Sequence, residues 1–220
     1  MIAHLTDIHI GEPGEKPRGV PVRDNFDSVL SDIVSAEPEL LVLTGDVAYE
    51  WGNRDIYLWV RSRLEDSGLS YVILPGNHDD PRLLSEVFGR NAGAGATLAG
   101  RAHRKLNSGE EEIILLDISE GVVTGEDLQW LEKSLSATER KEVMLFMHYP
   151  PVPLPVPYME ENFSLAGREG LRSLLRDAPP HLYLFCGHYH GEMSREEPGI
   201  TVFLTPSTFF QIEPQEMGFA

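Results

Sequence analysis

The feature that most constrains this chain is a set of five short aliphatic runs, each of which stops at a polar motif. The runs cover residues 1–5, 40–43, 71–74, 143–147 and 182–185. Runs of this length without polar alternation are typical of strands that are covered on both faces. In open α/β sheets, the loops beyond the carboxyl ends of the strands build the functional site. The sequence therefore predicts buried strands with a site at their carboxyl ends.

Amphipathic stretches separate these runs and predict an α/β fold. Apolar side chains at helical spacing predict helices over residues 25–35, 56–64, 83–88, 126–135 and 168–175. Thr124 is a suitable cap for the fourth helix. Two further apolar runs, 113–116 and 200–204, are expected to be strands. The Gly- and Ala-rich residues 89–100, and residues 150–157 with five prolines, are expected to be irregular.

The size and composition of the chain limit its class. A length of 220 residues suits one well-buried core, so we expect a single domain over residues 1–220. No apolar run approaches the ~20 residues that a membrane span needs. Met1 leads directly into the first strand without the regions of a secretion signal, and the single Cys186 cannot form an internal disulfide. We therefore expect a cytoplasmic protein that does not associate with membranes.

The polar motifs at the strand ends consist of residue types that bind metal ions. In chain order they supply Asp7 and His9, then Asp46, then Asn77, His78 and Asp79, then His148, and finally His188 and His190. In an extended chain, Asp7 and His9 would point the same way. Gly45, Gly76 and Gly187 each precede such a residue, and we expect them to allow a sharp turn and the close approach of a hydrated ion. Each motif alone could be a turn, a cap or a surface pair, but together they favour a metal site.

The order and spacing of these motifs resemble a known superfamily. The set Asp-x-His, Gly-Asp, Gly-Asn-His-Asp, His and Gly-His-x-His is similar to the calcineurin-like metallophosphoesterases over nearly the whole chain. The segments Leu116-Asp117, Trp130-Leu131 and His148-Tyr149-Pro150-Pro151 resemble the class III cyclic nucleotide phosphodiesterase branch. The resemblance implies a four-layer αββα sandwich of two mixed β-sheets flanked by helices, with the site at one edge.

The resemblance also implies a site with two metal ions. One ion would be held by Asp7, His9, Asp46 and His190, and the other by Asp46, Asn77, His148 and His188. Nitrogen and oxygen ligands without a thiolate suit Mn²⁺, Fe²⁺ or Fe³⁺, Zn²⁺ and Co²⁺, and do not choose among them. A hydroxide that bridges the ions would attack phosphorus. His78 would protonate the leaving group, and Asp79 would orient the His78 imidazole.

The expected function is hydrolysis of a small phosphodiester such as a 3′,5′-cyclic nucleotide. A phosphomonoesterase or a nucleotide pyrophosphatase stays open, because selectivity depends on loops that the sequence does not explain. A net charge of −17 argues against long nucleic acid as a partner. A non-catalytic protein-binding scaffold is disfavoured because every ligand position is filled by a residue that can bind a metal. Whether the protein forms a homodimer stays open. His4, His103, His181, Cys186 and Asp117 are kept outside the predicted site.

Overall fold

Strands and helices alternate along most of the chain in the computed structural model, which describes residues 1–92 and 101–212. The first half contains β1 (Ile2–Leu5), α1 (Val22–Ser35), β2 (Leu40–Thr44), α2 (Arg54–Asp66), β3 (Tyr71–Leu74) and α3 (Pro81–Phe88). The second half contains β4 (Arg104–Ser108), β5 (Glu111–Leu115), α4 (Gly125–Ser136), β6 (Glu142–Phe146), α5 (Pro157–Asn162), α6 (Arg168–Arg176), β7 (His181–Cys186), β8 (Met193–Glu197) and β9 (Ile200–Leu204). Short 3₁₀ turns span Pro17–Gly19 and Gly89–Ala92.

The first three strands form a parallel sheet in the order β1-β2-β3. Helices α1, α2 and α3 cover its outer face, where Phe26, Tyr57 and Leu64 are fully buried in one apolar cluster with the strands. We expected a mixed sheet, but this sheet is purely parallel. The reason is that a helix lies on each connection between neighbouring strands, so that the chain returns in the same direction.

The second sheet has six strands in the order β4-β5-β6-β7-β9-β8. Its four central strands are parallel, whereas the edge strands β4 and β8 run antiparallel to their neighbours. Helices α4 and α6 pack on its outer face, where Leu131 and Leu171 share an apolar cluster with Leu145 and Leu184 of the strands. This sheet is mixed, as expected.

A third apolar cluster joins the inner faces of the two sheets. Val42 and Leu74 of the first sheet meet Ile113, Leu115 and Phe146 of the second. Full burial of one such side chain is worth roughly 1.5–3 kcal/mol, so this contact is a large part of what holds the sheets together. The layers are helices, sheet, sheet and helices, which confirms the predicted αββα sandwich. Among residues 1–92 and 101–212, no helix is long and apolar enough to cross a membrane.

Three elements were not expected from the sequence. The edge strands β4 and β8 have the sequences RKLNS and MSREE, and backbone pairing rather than burial explains why such polar segments are strands. Helix α5 begins at Pro157, at the end of a segment expected to be irregular, where a proline suits the first helical turn. The segment expected to be irregular at 89–100 begins with the Gly89–Ala92 turn, and its remaining residues lie outside the described ranges.

Candidate metal centre

The loops that follow β1, β2, β3, β6 and β7 bring the predicted metal ligands together. Asp7, His9, Asp46 and His190 are buried, and one donor atom of each lies within 4.8 Å of the others. One donor atom each of Asp46, His148 and His188 forms a second such group. Asn77 joins this second group, since its Oδ1 lies 3.1 Å from His148 Nε2. The structure thus brings together the residues of both predicted ligand sets, with Asp46 in both groups.

The backbone at the site is bent rather than extended. Asp7, His9, Asp46, His188 and His190 have φ values between 44° and 70°, in the left-handed region that few residues other than glycine adopt. They are five of the seven described non-glycine residues with positive φ, so the unfavourable backbone is concentrated at the site. The expectation that an extended chain aligns Asp7 and His9 is wrong. The two side chains meet because both residues are left-handed.

The two carboxylate oxygens of Asp46 face different ligand sets. Its Oδ2 lies 3.7 Å from His9 Nε2, and its Oδ1 lies 3.4 Å from His148 Nε2. Its Oδ1 also accepts a hydrogen bond from the His78 backbone N–H at 3.0 Å. One carboxylate is therefore positioned to serve two cations, which a neutral amide, with a single oxygen, could not do.

Backbone carbonyl groups hold three of the histidine rings. His148 Nδ1 lies 2.7 Å from the Thr44 oxygen, His188 Nε2 lies 3.0 Å from the Phe163 oxygen, and His190 Nδ1 lies 3.0 Å from the Phe210 oxygen. A carbonyl oxygen only accepts, so in each ring the nitrogen that faces it carries the hydrogen. The other nitrogen of each ring then faces the site, where a neutral imidazole presents a lone pair, as metal-binding histidines do.

The lone pair on His190 Nε2 faces atoms that do not stabilise it by themselves. His190 Nε2 lies 3.3 Å from Asp7 Oδ1 and 3.0 Å from His9 Nε2. A nitrogen lone pair gains nothing from a carboxylate oxygen or from a second lone pair unless a cation or a proton lies between them. The donor atoms therefore fit metal ions, and their chemistry, with nitrogen and oxygen but no thiolate, fits the metals named above.

The pKa values of the site residues reflect the same concentration of negative charge. Burial would raise the pKa of Asp7 and of Asp46, but His190 beside Asp7 and His148 beside Asp46 hold both pKa values well below the usual range. Burial would lower the pKa of His148, but Asp46 raises that pKa to about 9. Burial lowers the pKa of His9 to about 4. At neutral pH the carboxylates are ionised and the His9 imidazole is neutral, and these are the forms that bind metals, whereas His148 carries a proton that it would release to a bound ion.

The glycines beside the ligands make room for protein atoms. Gly45 has a φ of 95° and packs against the backbone of Gly76, where a side chain would collide. A Cβ on Gly76 would collide with Asp46 Oδ1, and one on Gly187 would collide with Asp7 Oδ2. We expected these glycines to admit a hydrated ion. The structure shows instead that they let the ligand-bearing loops pack directly on one another.

His78 and Asp79 have different surroundings from those expected. His78 Nδ1 lies 3.1 Å from the Glu50 carbonyl oxygen, so that its Nε2 is left for the pocket. The buried Asp79 carboxylate accepts hydrogen bonds from the Tyr57 hydroxyl at 2.9 Å and from the N–H groups of Gly76, Val47 and Ala48. The expectation that Asp79 orients the His78 imidazole is wrong. Asp79 ties the loops after β2 and β3 together, and the Glu50 carbonyl orients His78.

A pocket of about 240 Å³ opens over the two ligand sets. Beside the predicted residues, its lining includes Arg18, Tyr49, Tyr158, Phe163, Phe209 and Phe210. Sequence reasoning missed these six residues and the carbonyl groups that orient the histidines. No motif marks the six residues, because they come from segments that are far apart in the chain. The carbonyl groups belong to the backbone, so no residue type reveals them.

The residues kept outside the predicted site have other partners. His4 lies between the hydroxyls of Thr205 at 2.7 Å and Thr44 at 2.8 Å. His181 Nε2 lies 3.0 Å from the Thr201 hydroxyl. Cys186 is buried, and burial raises the pKa of its thiol. His103 and Asp117 belong to a separate buried cluster described below.

Comparisons with known proteins agree with this geometry. A family model described as calcineurin-like phosphoesterase matches residues 1–192. A probable cyclic nucleotide phosphodiesterase of Fibrobacter succinogenes is 30% identical over 213 residues, which cover 97% of this chain and 81% of that protein. The 3′,5′-cyclic adenosine monophosphate phosphodiesterase CpdA of Escherichia coli is 28% identical over 228 residues, covering 99% and 79%.

A solved structure shares the fold. A dimetal phosphatase from Danio rerio superposes with a TM-score of 0.73, over 94% of this chain and 87% of that one. The sequence identity is 15%, so this likeness concerns the arrangement of strands and helices.

Proposed function

Since this chain belongs to the calcineurin-like phosphoesterase family, whose members are metal-dependent enzymes that use two metal ions, we propose that it hydrolyses small phosphodiesters such as 3′,5′-cyclic nucleotides. The observation that carries the proposal is the pair of ligand sets that share Asp46 at the floor of the pocket. Relatives 30% and 28% identical to the chain are named as cyclic nucleotide phosphodiesterases, which supports a diester as the substrate.

We propose that both ligand sets hold metal ions. Asp7, His9, Asp46 and His190 would hold one ion, and Asp46, Asn77, His148 and His188 would hold the other, with Mn, Fe, Zn or Co as the candidate metals. When bound, such ions act as Lewis acids toward phosphoryl oxygens. They also offset the buried carboxylates, so that an acidic protein has a locally attractive site for one phosphate group.

The residues around the pocket have distinct tasks in this proposal. The carbonyl groups that hold His148, His188 and His190 keep each ring in one tautomer, so the donor atoms are in place before substrate arrives. Hydrolysis breaks one P–O bond of the diester, and the departing oxygen needs a proton. His78 is the donor we propose, because its Nδ1 is held by Glu50 while its ring lines the pocket.

Matched pairs of monoesters and diesters would test the proposed substrate class. The metal-loaded protein should hydrolyse bis(4-nitrophenyl) phosphate and 3′,5′-cyclic AMP faster than 4-nitrophenyl phosphate and AMP. A preference for the monoesters would replace the proposal by a phosphomonoesterase, and cleavage of a dinucleotide polyphosphate alone would indicate a pyrophosphatase. Absence of turnover with every ester would leave a non-catalytic protein.

Metal content would test the ligand assignment separately. Elemental analysis of the loaded protein should give close to two ions per chain. The exposed Asp66 on α2 offers a control for the loss of a carboxylate that belongs to neither ligand set. Asp66→Asn should leave the number of metal ions per chain unchanged. One ion or none in the loaded protein would contradict the shared role of Asp46.

A further inference from the structure

The mouth of the pocket has two aromatic walls, and each is connected to one ligand set. Phe163 contributes the carbonyl group that holds His188, and its ring lines the pocket together with Tyr158. On the other side, Phe210 contributes the carbonyl group that holds His190, and its ring also lines the pocket. A ligand whose phosphate group reaches the metal ligands therefore has aromatic rings within reach.

The two walls differ in whether their ring faces are already covered. The guanidinium of Arg18 lies 5.0 Å from the centre of the Phe210 ring, and the neighbouring Phe209 is only 6% exposed. Tyr158 and Phe163, by contrast, are 61% and 47% exposed, and their ring centres lie 5.7 Å apart. Among the described residues, these two are the large exposed apolar side chains that line the pocket. The uncovered aromatic surface is therefore on the wall formed by α5 and Phe163.

Exposed aromatic rings at the mouth of a phosphate-binding site suit a flat, partly polar ring as ligand. A nucleobase has two π faces and stacks on aromatic side chains, whereas an alkyl or polyol group gains little from a ring face. Tyr158 lies on α5 and Phe163 directly follows its last residue, so that together the two rings present a surface rather than a single contact. Arg18 on the opposite wall gives the mouth a cation, which is compatible with an anionic nucleotide.

We propose that Tyr158 and Phe163 form a base-stacking subsite that selects phosphoesters bearing a nucleobase over those that lack one. This inference rests on the proposed function, because it assumes that a phosphate group binds at the two ligand sets. It goes further by assigning the specificity to two residues outside the metal ligands. Replacing Tyr158 and Phe163 by leucine would leave the Phe163 carbonyl group in place, so the hydrogen bond to His188 would be retained.

The test compares two ligands that differ only in the base. Adenosine 5′-monophosphate and ribose 5-phosphate are titrated by calorimetry into the Zn²⁺-loaded full chain. We expect the first ligand to bind about tenfold more tightly, within the range that stacking of one base provides. In Tyr158→Leu/Phe163→Leu this ratio should fall toward one, while Tyr158→Phe and Phe163→Tyr, which keep the rings, should retain it. The purine protons of the bound nucleotide should shift upfield in NMR spectra of the wild type and not of the leucine variant.

Several outcomes would overturn the subsite. Equal affinity of the wild-type protein for both ligands would do so, as would a ratio that the leucine variant retains. A leucine variant that lost both ligands equally would show damage to the phosphate site rather than loss of stacking. The binding ratio is independent of turnover. If the protein discriminates between the ligands but hydrolyses no diester, the proposed function fails and the subsite stands.

Discussion

Two buried clusters of histidine and aspartate lie among residues 1–92 and 101–212, and they differ in how their charges are balanced. The ligand sets around Asp46 contain buried carboxylates and imidazoles, and no described Lys or Arg side chain forms an ion pair with Asp7 or Asp46. The second cluster consists of Arg101, His103, Asp117 and Asp127, and we call it the His103 cluster. In it, Arg101 lies 3.4 Å from Asp127, so a protein cation offsets the carboxylate.

The hydrogen bonds of the two clusters differ in the same way. His103 Nε2 donates to Asp127 at 2.9 Å, and its Nδ1 accepts from the Asp117 N–H at 3.0 Å, so both ring nitrogens have matching partners. At the ligand sets, the Nε2 atoms of His9 and His190 face each other at 3.0 Å. Buried histidine and aspartate therefore do not by themselves indicate a metal site. Buried carboxylates without a Lys or Arg partner, together with imidazole nitrogens that face one another, do.

Replacing Asp46 should have the largest effect, because it removes the carboxylate that both ligand sets share. Asp46→Asn keeps the size of the side chain but loses the anionic bridge. We expect metal content to fall below two ions and the rate on both nitrophenyl and cyclic diesters to fall roughly 10⁴-fold, since each loss of 1.36 kcal/mol in transition-state stabilisation costs about tenfold. Elemental analysis and steady-state kinetics measure both.

The comparison with Asp127→Asn controls for loss of a buried carboxylate as such. That variant lies in the His103 cluster and should keep two ions and the wild-type rate. Full occupancy and full activity in Asp46→Asn would refute the shared role of Asp46. Equal loss of metal in the two variants would show that the clusters do not differ as argued.

Replacing His78 should have the next largest effect, and the loss of rate should depend on the leaving group. In contrast to His103, whose two nitrogens are both engaged, His78 has one nitrogen held by Glu50 and the other left for the pocket. General acid catalysis contributes about 10²–10⁴-fold, and a ribose alkoxide needs a proton far more than nitrophenolate does. His78→Ala should therefore lose at least about 100-fold on 3′,5′-cyclic AMP and much less on bis(4-nitrophenyl) phosphate.

The metal content of His78→Ala distinguishes the possible roles. It should stay near two ions, because His78 is outside both ligand sets. Loss of metal would make His78 a ligand, and an equal loss of rate on both substrates would make it a residue that positions phosphate.

The sequence was most informative where burial decides the structure. The strands β2 and β3 are continuous aliphatic segments that are buried throughout, and their positions were predicted almost to the residue. The edge strands β4 and β8 were missed because each is held by hydrogen bonds to a neighbour, and a polar segment carries no sign of that pairing.

For the site, residue types could be read from the sequence, but backbone geometry could not. The strand-end pattern predicted that these residue types lie together, because parallel strands bring their carboxyl ends to one edge, and the resemblance implied their division into two ligand sets. The left-handed conformation of Asp7 and His190 was not predicted, since Asp and His adopt it only in a minority of cases and the packed loops impose it here. Nor could the sequence reveal that Asp79 bonds to Tyr57 and to backbone N–H groups rather than to His78.

The stability of the two clusters should respond to different changes. Asp127 is the buried carboxylate beside Arg101, whose other acidic partner Glu120 is mostly exposed, so Asp127→Asn should lower the free energy of unfolding by about 3 kcal/mol. Asp27, whose partner Arg63 is partly exposed, offers the control, and Asp27→Asn should cost at most about 1 kcal/mol. Urea titrations of both variants measure the difference. Similar losses of unfolding free energy in the two variants would indicate that Arg101 does not need Asp127 to offset its charge.

The smallest effect should be a pH dependence that comes from His103. Burial lowers the pKa of His103 in the folded protein, and its Nδ1 accepts the Asp117 N–H, so a proton on that nitrogen would face another N–H group. A histidine with a lowered folded pKa contributes stability that is complete above its unfolded pKa of about 6.5 and is lost as the pH falls through that value. The free-energy difference between wild type and His103→Gln, which can keep one donor and one acceptor but does not titrate, should therefore shrink between pH 7 and pH 5. Urea titrations at both pH values, with metal content held constant, measure this difference. A constant difference would mean that His103 is protonated equally in the folded and unfolded chain, and the His103 cluster would then hold a charge that its geometry excludes.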